Sequence, residues 1–426
     1  MTVPRPLNRL PRQSSREEFV ARKNLQLGLV GVGAVAQIAH IPTLKRTEGL
    51  ELAALCDRDP EKAARVAQKF QIPRVHARFD DLLADEAIDA VDICTPNFLH
   101  APMASAALEA GKHVLSERPL ARSAEEAAAM AKTAKKADRV LMCAVQHRFR
   151  PDAQLLKKFV EKGDLGEIFL AKAGWLRQRT AWDSDEWRRQ KRESGGGVVL
   201  DLGFQMLDLA LWMLGGPRAE SVTASVHRSK KGEVEDSATA FLRLTTGATL
   251  SLELTWGLLM EKDFAYLNLF GSGGAALMNP LRIHKGMHGT LVNVTPTMDS
   301  SRNQFKHSIE AQIAHFGEVL RKAAKPMGHA EEILPVMELM DAILRSGSRS
   351  HRARSWAAPS CPRRSASSRG SRSCRCSSRS MPASDVTARA RASPAAHRPQ
   401  VPRRGPPAWE RAVSSRSDTR SASRST

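Results

Sequence analysis

From Leu25 to Ala144, short apolar runs alternate with longer stretches whose apolar residues recur at helical spacing. Leu25–Val30, Leu50–Cys56, Ala90–Thr95, Val114–Ser116 and Val140–Ala144 are apolar almost throughout, as strands buried on both faces are. Glu61–Phe70, Ala101–Ala110 and Ala124–Ala137 are rich in Ala, Glu and Lys and predict covering helices. Strands alternating with helices in this order predict an α/β domain with a doubly wound parallel sheet over residues 25–145.

Beyond Gln146 the pattern changes. A short helix near Leu155–Glu161 and a strand at Ile168–Trp175 lead to a polar loop with Trp182 and Trp187. A glycine triplet then precedes an apolar helix, Leu202–Leu214. Val222–His227, Ala238–Leu244, Thr249–Trp256 and Tyr266–Phe270 alternate apolar and polar, the mark of a half-exposed antiparallel sheet. Ile309–Lys322 and Ile333–Leu344 predict two closing helices. Residues 146–345 therefore form an α+β domain with a mainly antiparallel sheet.

The two ends differ from this body. Residues 1–24 are polar, with Pro4, Pro6 and Pro11 interrupting any helix, and predict a flexible extension. Residues 346–426 contain no Leu, Ile, Phe, Tyr, Asn or Lys and are mostly Ser, Arg, Ala and Pro. Such a segment cannot bury enough apolar surface to offset its conformational entropy, so disorder is expected. It reads as out-of-frame translation of a GC-rich gene; an Arg/Ser nucleic-acid-binding tail or a metal pair at Cys374 and Cys376 are the alternatives. Its 18 Arg against 3 acidic residues supply +15 of the net charge of +20. The body is then nearly neutral and gives no argument for nucleic acid. Cys56, Cys94 and Cys143 sit in apolar runs and suggest buried thiols in a reducing compartment. With no apolar stretch behind the N-terminal arginines and no run judged long enough to span a bilayer, a cytoplasmic protein without membrane or metal is expected.

The sharpest local signal is Gly31-Val32-Gly33-Ala34-Val35-Ala36, between the first strand and a helix. Gly31 permits a tight turn, Gly33 lets a pyrophosphate approach the backbone, and Ala36 stands where helix and strand pack closely. Asp57 ends the next strand, where a carboxylate holds a ribose 2′-hydroxyl and repels a 2′-phosphate. This favours NAD, while Arg58 beside it leaves NADP open. Thr95, Pro96, Asn97 and His100 follow the third long strand, and Glu117 and Arg118 the fourth; strand ends in such a sheet face the ligand crevice. The first domain thus reads as a Rossmann domain. For Glu117 and Arg118 a surface ion pair, and for His100 and Asp201 a helix cap, are the plain alternatives.

Several motifs in one order make the chain similar to the Gfo/Idh/MocA family of sugar and polyol oxidoreductases. They are the glycine turn, Thr95-Pro96-Asn97 with His100, Gly111-Lys112-His113-Val114, Gln146-His147-Arg148-Phe149, Trp187-Arg188, the triplet Gly195-Gly196-Gly197 with Asp201, Gly203 and Asp208, and Gly271. The resemblance implies that Gly31, Gly33, Val35, Ala36, Asp57, Arg58, Thr95, Pro96, Asn97, His100, Glu117, Arg118 and Gln146 bind cofactor. It implies that Arg148, Trp187, Arg188, Asp201 and Gln205 meet a small-molecule substrate, and that the protein forms a homo-oligomer. Two positions depart from the family. Arg118 stands where a lysine is usual and Gln205 where a histidine is usual. Neither exchanges a proton near neutral pH, which leaves Arg118, Asp201 and Gln205 as the candidate catalytic set, with Asp201 or a water taking the proton. A dehydrogenase is the first reading. A non-catalytic dinucleotide-binding sensor or partner protein, and an NAD-dependent glycosidase-like enzyme, are the alternatives.

Overall fold

The computed structural model describes residues 24–178, 186–229, 232–298 and 304–350. The expectations for residues 1–23, for Trp182 and for the tail beyond Ser350 lie outside them.

Six strands, β1 (Leu25–Val30), β2 (Leu50–Cys56), β3 (Arg74–His76), β4 (Ala90–Ile93), β5 (His113–Ser116) and β6 (Leu141–Cys143), form a sheet in the order β3-β2-β1-β4-β5-β6. Every pairing in it is parallel, and the order reverses between β1 and β4, which gives the two halves of a Rossmann fold. Helix α1 begins in π form at Ala36–His40 and continues as Ile41–Leu44. It is followed by α2 (Pro60–Phe70), α3 (Phe79–Ala84), α4 (His100–Glu109) and α5 (Ala124–Ala137). Their starts are written locally. Asp59 accepts the Lys62 amide at the head of α2, just before a proline at the first helical position, and Ser123 accepts the Glu126 amide at the head of α5.

The second half contains α6 (Pro151–Glu161), the strands β7 (Ile168–Gln178), β8 (Ala219–His227), β9 (Ser237–Leu244), β10 (Thr249–Leu258), β11 (Phe264–Gly271), β12 (Gly274–Leu277), β13 (Arg282–Met287) and β14 (Thr290–Asn293), and further helices. These helices are α7 (Glu186–Arg189), α8 (Lys191–Ser194), α9 (π turn Val199–Gly203 continuing as Phe204–Met213), α10 (Gln304–Leu320) and α11 (Ala330–Ser350). The eight strands run β14-β13-β12-β11-β7-β10-β9-β8. All pairs are antiparallel except β7 with β10. In β9 every second residue is buried, and the inward face belongs to the same core as α9.

Three features differ from the sequence expectation. First, α10 does not close the second sheet: Ile309, Ile313, Phe316 and Leu320 share the core of Leu25, Leu27 and Leu29, so a late helix returns to the dinucleotide domain. Gly317 lets it lie against Leu50, whose side chain would be 3.1 Å from an added Cβ. Second, α11 runs past Arg345. Ser346 accepts the Ala224 amide and donates to the Val222 carbonyl, and Gly347 lies against Val226, so the folded body does not stop at 345. Third, residues 191–213 contain an 18-residue window apolar enough to cross a membrane, but 94% of that window is buried inside the protein.

Candidate active site

The glycine turn has the geometry its residues require. Gly31 has φ +90°, and a Cβ there would meet the Cys94 carbonyl at 2.7 Å. Gly33 is the opposite case, with nothing within 4 Å of an added Cβ. Its face is open toward the crevice. Asp57 is tied into the same turn: its Oδ2 accepts the Val32 amide at 2.8 Å and its Oδ1 the Asp59 amide at 3.0 Å. Asp59, not Asp57, caps the following helix. Arg58 beside it is exposed, Val35 is half-buried and Ala36 is fully buried.

The ends of β4 and β5 lie beside this turn. Thr95 presents a buried hydroxyl without a hydrogen-bond partner, and Pro96 starts the short helix Asn97–Leu99. Asn97 reaches across to the second half, donating to the Ser194 carbonyl at 2.9 Å. His100 differs from its expected role. It is 1% exposed, and its two ring nitrogens lie 2.8 Å from the Pro119 carbonyl and 2.9 Å from the Thr95 carbonyl. Both are spent inside the protein, so His100 ties two crevice loops together and presents no nitrogen to a ligand. Burial lowers its pKa, with Arg118 adding to the effect against the carbonyls and Glu117.

Arg118 and Asp201 meet across the domains. Arg118 Nη1 donates to Asp201 Oδ1 at 2.6 Å, while the buried Nε of the same guanidinium has no partner. Asp201 Oδ2 accepts Arg177 Nη1 at 3.2 Å and Trp256 Nε1 at 3.0 Å. Burial alone would raise the pKa of Asp201; Arg118, Arg177 and Arg188 outweigh it and hold the carboxyl below the usual range. A carboxylate so held is a weak base. Trp187 and Arg188 line the same cleft with Asn97, Trp256 and Asp201, and the Arg188 guanidinium lies 4.5 Å from the Trp187 ring centre.

The glycine triplet builds the floor. A Cβ on Gly197 would stand 1.8 Å from the Glu235 carbonyl, and the buried Glu235 carboxylate accepts the amides of Gly197 and Val199 at 2.8 and 3.1 Å. Glu235 thereby caps the start of α9, the role the sequence offered to Asp201. One turn on from Asp201, Gln205 donates to the Asp201 carbonyl, and its Oε1 faces Gln146 Nε2 at 3.2 Å and His147 Nε2 at 3.0 Å. Burial, aided by Arg150, pushes His147 down to about 4.

Arg148 is not in this cleft as a ligand group. It is 3% exposed, and its guanidinium grips Asp208 through two hydrogen bonds of 2.9 and 2.6 Å and Glu332 through a third of 3.1 Å. The resemblance had placed it on the substrate; the fold uses it to pin the Gln146–Phe149 turn to α9 and α11.

Sequence reasoning missed Arg177, Trp256, Glu235 and His40. The first two end strands with no local signature, and only the pairing of β7 with β10 brings them onto Asp201. His40 lies in the apolar helix after the glycine turn, where its charge gave no periodic signal.

Two family profiles match the chain: an oxidoreductase family with an NAD-binding Rossmann fold over residues 25–145, and the GFO/IDH/MocA C-terminal domain over residues 153–277. The D-glucoside 3-dehydrogenase of Escherichia coli is 31% identical over 342 residues, covering 76% of this chain and 95% of that protein. A D-xylose 1-dehydrogenase (NADP+) of Haloferax volcanii is 28% identical, covering 76% of this chain and 97% of its own. The solved levoglucosan dehydrogenase in complex with NADH and levoglucosan superposes with a TM-score of 0.70 at 25% identity, over 76% of this chain and 98% of the other. With both domain profiles matched in order and the crevice built as they require, the chain belongs to the Gfo/Idh/MocA family of NAD-binding oxidoreductases.

Proposed function

We propose that the protein oxidises an alcohol, or reduces the matching ketone, on a sugar or polyol, with NAD as the redox partner. The observation that carries this reading is the Arg118–Asp201 pair, 2.6 Å apart, at the mouth of a crevice whose glycine turn is open at Gly33. The residues fit the dinucleotide: Gly33 leaves room for the pyrophosphate, Asp57 stands at the ribose position, Thr95 lies beside the glycine turn, and Arg118 lines the cleft at the other end. Bound there, the nicotinamide supplies or accepts the hydride. Residues 25–145 carry the cofactor and the following domain the substrate.

Arg118, whose side chain lines the cleft, orients the substrate oxygen and stabilises negative charge on it. Asp201 holds Arg118 and Arg177 in place, and because three donors make it a weak base the hydroxyl proton passes to water. Gln205 fixes Gln146 and His147 around the pocket without titrating. The sugar assignment is supported by the dehydrogenases of glucosides, xylose and levoglucosan among the relatives. The Asp57 carboxylate supports NAD over NADP. Phe169, Phe241 and Phe264, each more than half exposed on the second sheet, support a homo-oligomer. The nearly neutral body supports a partner set without nucleic acid or membrane, and the buried free thiols Cys56, Cys94 and Cys143 a cytoplasmic setting.

The test is a panel of polyols, aldoses, glycosides and their keto forms, read by NADH absorbance and repeated with NADP. Turnover is expected with NAD, and Asp201→Asn, which takes the counter-charge from Arg118 and Arg177, should cut it by roughly a hundredfold with little change in NAD affinity. NAD binding with no turnover on any substrate would instead make the protein a binder. Glycoside cleavage without net NADH change would make it a glycosidase-like enzyme.

A further inference from the structure

A second polar cluster lies behind the site. His40, 0% exposed on the helix that follows the glycine turn, has Nδ1 2.7 Å from Asp92 Oδ2 and Nε2 2.9 Å from Glu117 Oε1. Glu117 Oε2 in turn accepts the Arg118 backbone amide at 3.1 Å. Carboxylate oxygens cannot donate when ionised, so the ring satisfies both neighbours only as an imidazolium carrying two protons. The result is a row of alternating charge, Asp92, His40, Glu117, Arg118 and Asp201, that starts on β4 and ends on α9. His40, Asp92 and Cys94 also have the composition of a metal site. With a proton on each ring nitrogen, directed at Asp92 and at Glu117, His40 has no lone pair to give an ion.

We propose that His40 is a positioning residue: it fixes the Glu117 carboxylate, and through it the Arg118 main chain, so that the helix behind the pyrophosphate turn and the reacting end of the crevice move as one piece. The inference rests on the dinucleotide reading of that crevice. The groups facing the pair are Asp92 and Cys94 on the β4 side, Arg118 after β5, Cys143 on β6 and His100 on α4. Burial works against the charge on His40, but Asp92, aided by Cys94, raises its pKa well above the usual value. Burial likewise works against the charge on Glu117, and His40 with Arg118 pushes that carboxyl down to about 2. Removing the imidazolium removes the largest group opposing burial, so the Glu117 pKa must climb and the carboxyl must begin to take up protons on the acid side.

The full chain is titrated with NADH between pH 5 and 9, as the unmodified protein, as His40→Gln and as His40→Gln/Glu117→Gln. Affinity in the unmodified protein should be flat from pH 9 to 6. His40→Gln should lose roughly tenfold, the size of one hydrogen bond to a charged group, with a further loss toward pH 5 that the double variant lacks. A uniform loss with no new pH dependence, or no loss at all, overturns the proposal. Should His40→Gln fail to fold, ring-nitrogen NMR of the unmodified protein decides: a doubly protonated His40 ring at pH 8 supports the inference, and a neutral ring overturns it. Absence of NADH binding to the unmodified protein would defeat the dinucleotide reading itself, a result distinct from either.

Discussion

The two ends of the crevice are built on opposite plans. At the glycine turn groups are left open: Gly33 has no neighbour within 4 Å of an added Cβ, and the nearby Thr95 hydroxyl has no partner. At the reacting end, charges are already matched. Asp201 takes hydrogen bonds from Arg118, Arg177 and Trp256, and Glu117 lies between His40 and the Arg118 amide. An open backbone suits a ligand that brings its own charge to a helix start, where unpaired amides and the helix dipole attract it. An array of paired charges suits a site that must hold geometry while a neutral hydroxyl approaches, because each charge restrains the next. A fixed, never-neutral guanidinium such as that of Arg118 suits a positioning array better than a proton relay.

The open end can be broken outright. Gly33→Val should fold normally, since its side chain enters free space, yet lose dinucleotide affinity by on the order of a hundredfold or more. Calorimetric titration with NADH beside a thermal melt checks both halves; unchanged affinity would show that no pyrophosphate passes that turn.

At the closed end, Arg148→Ala tests which charges are structural. It leaves Asp208 buried and unpaired, so denaturant unfolding should show a loss of about 3–5 kcal/mol, with NADH affinity unchanged in whatever fraction stays folded. If stability holds while the substrate KM rises, Arg148 belongs to the substrate after all.

A smaller effect separates the sheet from the crevice. His113 Nδ1 accepts the Val140 amide at 2.9 Å, which needs an unprotonated ring. Burial, then Arg139, pushes its pKa down to about 4. A histidine with a depressed folded pKa contributes fully above the free value of about 6.5, and that contribution is lost as pH falls toward 4. Unfolding free energy should therefore drop between those pH values by up to on the order of 3 kcal/mol from this residue. His113→Asn should flatten that part of the profile; an unchanged slope would assign the loss to other groups such as His147.

The first domain was legible almost element by element. β1 and β2 match their apolar runs, since buried parallel strands must be apolar on both faces, and turn glycines and helix caps act over a few residues. β3, β12, β13 and β14 were not legible. β3 and β14 bury no residue fully, β12 buries only Ala276 and β13 only Ile283, so none leaves a periodic trace.

The sequence by itself determined the parallel sheet implied by strand–helix alternation, the glycine turn with Asp57, and Arg118, Asp201 and Gln205 as the candidate set that the resemblance singles out. These are local facts: each depends on residues within a strand, a turn or one helical turn. Only the tertiary structure decided what those groups touch. Parallel pairing of β7 with β10 brings Arg177 and Trp256 onto Asp201. The return of α10 to the first core and the seating of α11 on β8 depend on burial shared between residues hundreds of positions apart. The ionisation of His40 and Glu117 depends on charges brought together from β4, β5 and α1, and the role of Arg148 on two carboxylates from two helices. Charge pairing acts through space and not along the chain, so no periodicity records it.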